Sequence, residues 1–252
     1  MTGASVAVRD LHFRYPGASA STPSALAGVD FEVTPGERVA ILGPNGSGKT
    51  TLMLHLNGIL SPTRGTVAVG GTVIDPRTVR DVRRRVGLVF QDPDDQLFMP
   101  TVAEDVAFGP ANYGATGTAL AERVTTALTQ VGLGSIGDRH PQQLSLGQRR
   151  RAAIATILSM DVDVMVLDEP TSNLDPGSRR ELSATLARLA ATQIIVTHDL
   201  PYALELCPRA LILDGGRIVA DGATGDLLAD GALMTAHGLE LPWGFDPTRG
   251  RS

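Results

Sequence analysis

The chain has 252 residues, a net charge of −5 and one cysteine, Cys207. This length allows one large domain, or a domain with a subdomain, while the acidic balance gives no general attraction to nucleic acid or anionic lipid and the single cysteine excludes an internal disulfide. No apolar run approaches the roughly 20 residues of a membrane span and the N-terminus has no apolar signal region, so we expect a soluble cytoplasmic protein.

The first third of the sequence alternates like β-strands. Val6, Val8, Leu11 and Phe13 are spaced for half-buried strands, with one slip after Val8. The continuous apolar run at 38–42 predicts a fully buried strand. A glycine-rich loop and a helical pattern follow it, and 66–74 predicts another hairpin.

The rest of the chain changes character twice. Residues 101–160 predict helices, and from 162 strands and helices alternate again, with a hairpin turning at Asp214–Gly216. The predicted fold is therefore α/β, with a central sheet, an antiparallel β subdomain and a helical subdomain at about 92–160. Residues 240–252 predict a loosely ordered tail.

The segment GPNGSGKT, at 43–50, lies between the buried strand and a predicted helix. Its glycines allow backbone N–H groups to surround an anion, and the helix N-terminus adds its positive end. Lys49 supplies charge to terminal phosphates, and the Thr50 hydroxyl can ligate Mg²⁺. The residues expected to bind nucleotide here are Gly43, Pro44, Asn45, Gly46, Ser47, Gly48, Lys49, Thr50 and Thr51.

Two carboxylates end the apolar strand predicted at 162–167. Asp168 is placed to hold Mg²⁺ through water, and Glu169 to polarise a water for attack on a γ-phosphate. Taken alone, two acids after a strand are more often the start of a solvated loop. With a phosphate loop upstream, a catalytic role is favoured.

A second helix start lies in LSLGQRRRAAIA, at 144–155, where Ser145 and Gln148 have the spacing of a capping box. Alone it predicts a plain helix start. Together with the first loop it predicts a second anion site, with nucleotide held between two copies of the protein.

These motifs resemble those of ATP-binding cassette (ABC) ATPases over nearly the full length of the chain. Residues 43–50 resemble the Walker A loop, 164–169 the Walker B strand and 144–148 the signature motif. The resemblance implies further residues that bind ATP and Mg²⁺. Gln91 is expected to be the Q-loop residue and a metal ligand, His198 the switch histidine that steadies the γ-phosphate, and Tyr15 the aromatic that stacks on adenine. Asp175 of SNLD is expected to be the D-loop acid, and Gly147 to bind the second nucleotide together with Ser145 and Gln148. Without context, Tyr15, Gln91 and His198 are more simply read as a strand-rim aromatic, a surface polar residue and a satisfied histidine.

Two residues depart from the family pattern. Leu146 replaces the first glycine of the signature pair and narrows the approach of backbone to phosphate. Asn173 replaces the commoner alanine of the D-loop. Neither departure touches Lys49, Glu169 or His198, so we expect an active ATPase.

The segment FQDPDDQLFMP, at 90–100, is similar to the energy-coupling factor branch, whose ATPases serve vitamin and cobalt or nickel importers. Asp92, Asp94 and Asp95 are acidic beside apolar Leu97 and Phe98. The mixture favours docking of a basic amphipathic helix from an integral membrane subunit, and the charges alone favour a solvated turn.

We therefore expect an ABC ATPase domain at 1–239 and a tail at 240–252, which pairs with a second ATPase subunit at the cytoplasmic face of the membrane and energises a micronutrient importer. The alternatives are a conventional ABC importer or exporter subunit, a non-transport ABC protein in translation or DNA repair, and a small-molecule phosphotransferase. One cassette without a basic excess argues against a nucleic-acid partner, and the signature helix argues against the phosphotransferase.

Overall fold

The computed structural model describes residues 2–17, 19 and 23–248. Strands and helices alternate along most of this range. The strands are β1 (Val6–Phe13), β2 (Leu26–Val33), β3 (Arg38–Leu42), β4 (Arg64–Val69), β5 (Thr72–Val73), β6 (Val86–Val89), β7 (Val164–Asp168), β8 (Thr192–Val196), β9 (Arg209–Asp214) and β10 (Arg217–Ala223). The helices are α1 (Lys49–Leu56), α2 (Val79–Arg85), α3 (Val102–Asn112), α4 (Gly117–Gln130), α5 (Leu146–Leu158), α6 (Pro176–Ala187), α7 (Leu200–Leu206), α8 (Thr224–Ala229) and α9 (Gly231–Ala236).

The central sheet has the order β10-β9-β3-β8-β7-β6, and all neighbours pair in parallel except β10, which is antiparallel to β9. Strand β3, the apolar run of the sequence, lies inside this sheet. Its side chains alternate between two hydrophobic cores: Val39 and Ile41 face one, Ala40 and Leu42 the other. Covering both faces in this way is what allows a continuous apolar strand. The predicted α/β fold is confirmed.

A second sheet, of order β2-β1-β4-β5, is antiparallel and packs over α1 through one of these cores. The predicted slip in β1 is a real irregularity: the pairing of β1 with β2 shifts between Val8 and Leu11, and Asp10 has φ 46°. The extra residue keeps Val6, Val8, Leu11 and Phe13 all buried on one face.

The helical subdomain consists of α3, α4 and the first part of α5. These helices pack on one another and on the core that contains Ala40 and Leu42. Helix α3 begins at a capping box in which the Thr101 hydroxyl accepts from the Glu104 N–H. Helix α5 begins at the predicted box of Ser145 and Gln148, which is confirmed. This helix runs from the helical subdomain to the central sheet, where it contacts β6, so a single helix connects the two parts of the molecule.

At the C-terminal end, helices α8 and α9 pack against the core, Leu239 is buried and Leu241 packs beside it. The loosely ordered tail expected from residue 240 stays a prediction, and its described part, 240–248, has no helix or strand. Trp243 is fully exposed, and 249–252 lie outside the described residues.

In the described ranges, none of the helices combines the length and the apolar character that crossing a bilayer requires.

Candidate active site

The phosphate loop connects β3 to α1 and is braced by the β9–β10 hairpin. Gly43 has φ 151°, and a Cβ there would overlap the carbonyl oxygen of Leu213 and approach the Ser47 hydroxyl. The Gly216 N–H donates to the Ser47 carbonyl at 3.1 Å. The glycines of this loop thus serve a close approach of two backbones as well as a turn.

The loop has donor groups that fit a polyphosphate. The Ser47 hydroxyl is buried without a partner among the described residues, and no side chain in that part of the chain caps α1 at Gly48. The Lys49 ammonium donates to the carbonyls of Gly43 and Pro44, at 2.8 Å each, so it folds back over the loop. Burial lowers the pKa of Lys49, while the Glu169 and Asp168 carboxylates raise it. Hydrogen-bond donors without partners and a nearby ammonium group fit a ligand with several negative charges.

Thr50 and Asp168 place two oxygen atoms that could bind a metal ion at the start of α1. The Thr50 hydroxyl donates to the Asp168 carboxylate at 3.5 Å. Burial and the neighbouring Glu169 charge raise the pKa of Asp168, whereas Thr50 and Lys49 lower it. Over the ranges described above, no cluster of three or more His, Cys, Asp or Glu side chains could hold a metal ion. The pair therefore fits Mg²⁺ only with phosphate and water oxygens as its other ligands.

Glu169 is held in an unusual backbone conformation, with φ 45°. One carboxylate oxygen accepts from the His198 N–H at 2.9 Å and lies 2.6 Å from His198 Nδ1, and the other accepts from the Thr197 hydroxyl at 3.0 Å. Thr197 and His198, which follow β8, thus bind both oxygens of the Glu169 carboxylate. Thr197 was not predicted, although its place before the histidine was a usable signal.

Gln91 follows β6 and lines a cavity of about 520 Å³ between the phosphate loop and α5. Thr50 and Asp168 line the same cavity, so the structure brings these three predicted site residues together. Leu146 and Asn173, the two departures from the family pattern, line it as well.

The remaining predicted nucleotide residues lie outside this cavity and make local contacts. Ser145 and Gln148 cap α5, and the Asp175 carboxylate caps α6 by accepting from the Gly177 and Ser178 N–H groups. A Cβ on Gly147 would lie 2.6 Å from the Ser178 hydroxyl, so α5 and α6 begin in close contact. These caps are structural in the single chain, and their roles toward nucleotide stay predictions.

Tyr15 lies on the antiparallel subdomain, next to the loop. Its ring is 48% exposed and stacks edge-on against Phe13, and its hydroxyl lies 3.0 Å from the Thr51 hydroxyl. The ring is thus partly exposed beside the start of α1.

The expected apolar anchor of the segment at 92–98 is partly wrong. Leu97 is only 7% exposed and belongs to the core, because the short turn at Pro93–Asp95 directs it inward. Phe98 is 62% exposed. Asp94 lies 3.5 Å from the Arg149 guanidinium of α5.

The acidic residues also face away from Phe98. Asp92 and Asp95 line the cavity that contains Gln91, whereas Phe98 lines a separate apolar groove. The acidic and apolar residues, which were expected to form one patch, therefore lie on two separate surfaces.

Gln96 is a further residue that sequence reasoning missed. Its side-chain oxygen accepts from the Phe90 N–H at 3.2 Å, and its nitrogen donates to the Ala153 carbonyl at 2.9 Å and the Thr156 hydroxyl at 2.8 Å. The end of β6 is thereby bonded to α5. A glutamine inside an acidic, apolar turn was the only signal.

Comparison with known proteins agrees with this geometry. A family model described as ABC transporter matches residues 26–172. A putative ABC transporter ATP-binding protein of Streptomyces avermitilis is 62% identical over 96% of this chain and 91% of its own length. The energy-coupling factor transporter ATP-binding protein EcfA of Carboxydothermus hydrogenoformans is 44% identical over 94% of this chain and 87% of its own length.

Among solved structures, CbiO1 of Clostridium perfringens, described as part of the ABC transporter complex cbiONQ, matches with a TM-score of 0.81 and 35% identity, covering 94% of this chain and 95% of its own. The structure has the features that these matches lead one to expect: a phosphate loop, a pair of carboxylates after β7 and a capped N-terminus of α5. The chain belongs to the ABC transporter family, as an ATP-binding, ATP-hydrolysing subunit.

Proposed function

We propose that this chain is the ATPase subunit of an energy-coupling factor importer for a small micronutrient, either a cobalt or nickel ion or a vitamin. It acts at the cytoplasmic face of the membrane, bound to integral membrane subunits. The observation that carries the proposal is the segment at 91–98, which joins the nucleotide cavity to an exposed apolar groove. The 44% identity to an EcfA protein supports the same branch.

The nucleotide is held by the loop at 43–51. Its backbone N–H groups and the Lys49 ammonium bind the phosphates, and the partly exposed ring of Tyr15 stacks on the base. Thr50, Asp168 and Gln91 would hold Mg²⁺, which would neutralise phosphate charge. Lys49 must leave the carbonyls of Gly43 and Pro44 to reach the phosphates, a movement that its flexible side chain allows.

Hydrolysis relies on the group of Glu169, His198 and Thr197. The Glu169 carboxylate orients the attacking water and accepts its proton. Its bonds to Thr197 and to the His198 backbone fix its direction. The His198 side chain is 67% exposed, so it can turn from Glu169 to donate to the γ-phosphate.

A second ATPase subunit completes the site. Ser145, Gly147 and Gln148 of one chain bind the nucleotide held by the loop of the other, and Asp175 lies at the contact between them. Ser145 is exposed in the single chain, which supports this role. Leu146 lines the cavity of its own chain.

We expect complementation between two inactive variants, Lys49→Ala and Ser145→Arg. A mixed dimer has one composite site with both lesions and one with neither, so mixing equal amounts should restore up to about a quarter of wild-type ATPase activity, since about half of randomly paired dimers are mixed. Steady-state phosphate release measures this. Activity of the mixture no higher than that of either variant alone would contradict pairing of two copies of this chain.

The membrane subunit docks in the groove beside Phe98. This groove has a volume of about 350 Å³ and lies between β6, α3, α5 and the residues Gln96 and Phe98. Exposed aromatic rings form its walls: Phe98 and Phe108 stack edge-on with centroids 4.9 Å apart, and both are more than 40% exposed. Such rings are typical anchors for an amphipathic helix. Asp92, Asp94 and Asp95 remain candidates for charge pairing with the membrane subunit on the separate acidic surface, outside the groove.

Phe98→Asp should weaken binding of the membrane subunits by at least about 30-fold, which corresponds to a loss of about 2 kcal/mol at an aromatic hot spot. ATP affinity of the isolated chain should not change, since Phe98 does not line the nucleotide cavity. Pull-down of membrane proteins from the native host and equilibrium nucleotide binding are the two measurements.

Val73→Asp is the matched control for this variant. Val73 is 45% exposed on the antiparallel sheet and does not line the groove, so assembly should persist. An intact complex with Phe98→Asp would rule out the groove. Recovery of ribosomes or DNA repair proteins in place of membrane subunits would favour a non-transport ABC protein.

A further inference from the structure

Arg150 lies on α5, two residues after the capping box, and is 5% exposed. One terminal guanidinium nitrogen donates to the backbone carbonyl of Glu169 at 2.6 Å. Its Nε is buried and has no hydrogen-bond partner in the described parts of the chain. Burying an arginine that uses only part of its donor set costs folding free energy, so a functional role for the bond that it does make is worth testing.

The bond from Arg150 reaches the backbone of Glu169, whose carbonyl also accepts from the Ser172 N–H at 3.1 Å. Thr197 and His198 hold the carboxylate, whereas Arg150 holds the backbone of the same residue, which has φ 45°. A non-glycine residue keeps this conformation only when its surroundings fix it. Glu169 is therefore positioned from two directions, by the end of β8 and by α5.

Arg150 also faces the segment that follows β6. It lines the cavity shared by Gln91, Asp92 and Asp168. Burial lowers the pKa of Arg150, and the Asp92 and Glu169 carboxylates oppose this shift, so both negative charges act on the guanidinium. The guanidinium thus stands between the segment at 91–95 and the residue that orients the attacking water.

We propose that Arg150 is a positioning residue for ATP hydrolysis, which holds the Glu169 backbone and transmits displacements of α5 and Asp92 to the Glu169 carboxylate. This inference rests on the proposed role of Glu169. A shift of α5 lengthens the bond from Arg150 to the Glu169 carbonyl, and a movement of Asp92 toward the guanidinium competes for it. Either change turns the carboxylate away from the attacking water without altering the phosphate loop.

The test uses the full chain in complex with its membrane subunits, and the probe is radiolabelled ATP. Arg150→Met should lower the single-turnover rate of hydrolysis by about 10-fold to 100-fold, the loss expected when a reacting group is misplaced by about 1 Å. ATP affinity should stay within about twofold, because Arg150 acts on Glu169 and not on the phosphate loop. Arg150→Lys should recover part of the rate, since an ammonium can donate one bond to the carbonyl.

A double variant separates this role from a purely structural one. If Arg150 acts through Glu169, Arg150→Met combined with Glu169→Gln should be no slower than Glu169→Gln alone. Additive losses, an unchanged rate in Arg150→Met, or weakened ATP binding with the rate retained would each overturn the proposal. If Arg150→Met does not fold, Arg150→Lys alone and with Glu169→Gln provides the same comparison.

Arg151→Met is the matched control. Arg151 lies on the same helix, but it donates to the Val131 carbonyl and pairs with Glu181, away from Glu169. Its hydrolysis rate should stay within about twofold of wild type. A wild-type rate in Glu169→Gln would reject the role of Glu169 itself, whereas an inactive Glu169→Gln beside a fully active Arg150→Met would reject only the role of Arg150.

Discussion

Glu169→Gln should bind ATP as the wild type does and hydrolyse it at least about 10²-fold more slowly, because an amide cannot accept the proton of the attacking water. The variant keeps the side-chain shape: its amide oxygen can accept from the His198 N–H, and its amide NH2 can donate to the Thr197 hydroxyl in place of accepting from it. The doubly loaded dimer should then accumulate. Single-turnover hydrolysis and size-exclusion chromatography with ATP measure the two effects.

Glu181→Gln is a suitable control for this substitution. Its carboxylate is 61% exposed and pairs with Arg151 on the far side of α5, so hydrolysis should not change. Wild-type turnover in Glu169→Gln would show that another group activates the water. Loss of ATP binding in this variant would place the carboxylate in nucleotide binding instead.

The second large effect is expected at Gly43. Gly43→Ala places a methyl group on the carbonyl oxygen of Leu213, and neither backbone can yield without moving the phosphate loop or the β9–β10 hairpin. We expect the free energy of unfolding to fall by about 3 kcal/mol, at the upper end for an overpacked site. ATP binding should be lost with it. Urea denaturation and equilibrium nucleotide binding test both.

Gly46→Ala is a control that separates the cost of backbone strain from the cost of the steric overlap expected in Gly43→Ala. Gly46 has φ 79°, and a Cβ there meets no atom within 4 Å. Only the cost of the left-handed conformation remains, about 1–2 kcal/mol. Equal losses of stability in the two variants would show that the hairpin does not brace the loop.

The parts of the site that are local in sequence could be predicted. The phosphate loop, the carboxylates after β7 and the capping box of α5 each occupy one short segment, and their chemistry depends on neighbours a few residues away. The bulge in β1 was visible as one slip in an alternating pattern. The central sheet followed from a continuous apolar run, because that pattern requires cover on both faces.

The contacts made across the fold could not be predicted. Leu97 and Phe98 are adjacent and equally apolar, yet one is in the core and the other is exposed, because a single turn sets their directions. Gln96 and Arg150 act through partners more than 15 residues away, Thr156 and Glu169. Hydrogen bonds of this kind depend on tertiary packing, for which the sequence offers no periodic signal.

The alternation of β3 between two cores has a consequence for how such a protein can be altered. Ala40 and Leu42 need the helical side of the molecule, while Val39 and Ile41 need the antiparallel sheet. A fragment without either part would leave one face of the strand that leads into the phosphate loop open to water. Helix α7 contacts β3 and belongs to the same core as Ala40 and Leu42. An exchange of α7 between relatives must therefore carry the facing side chains of β3 with it.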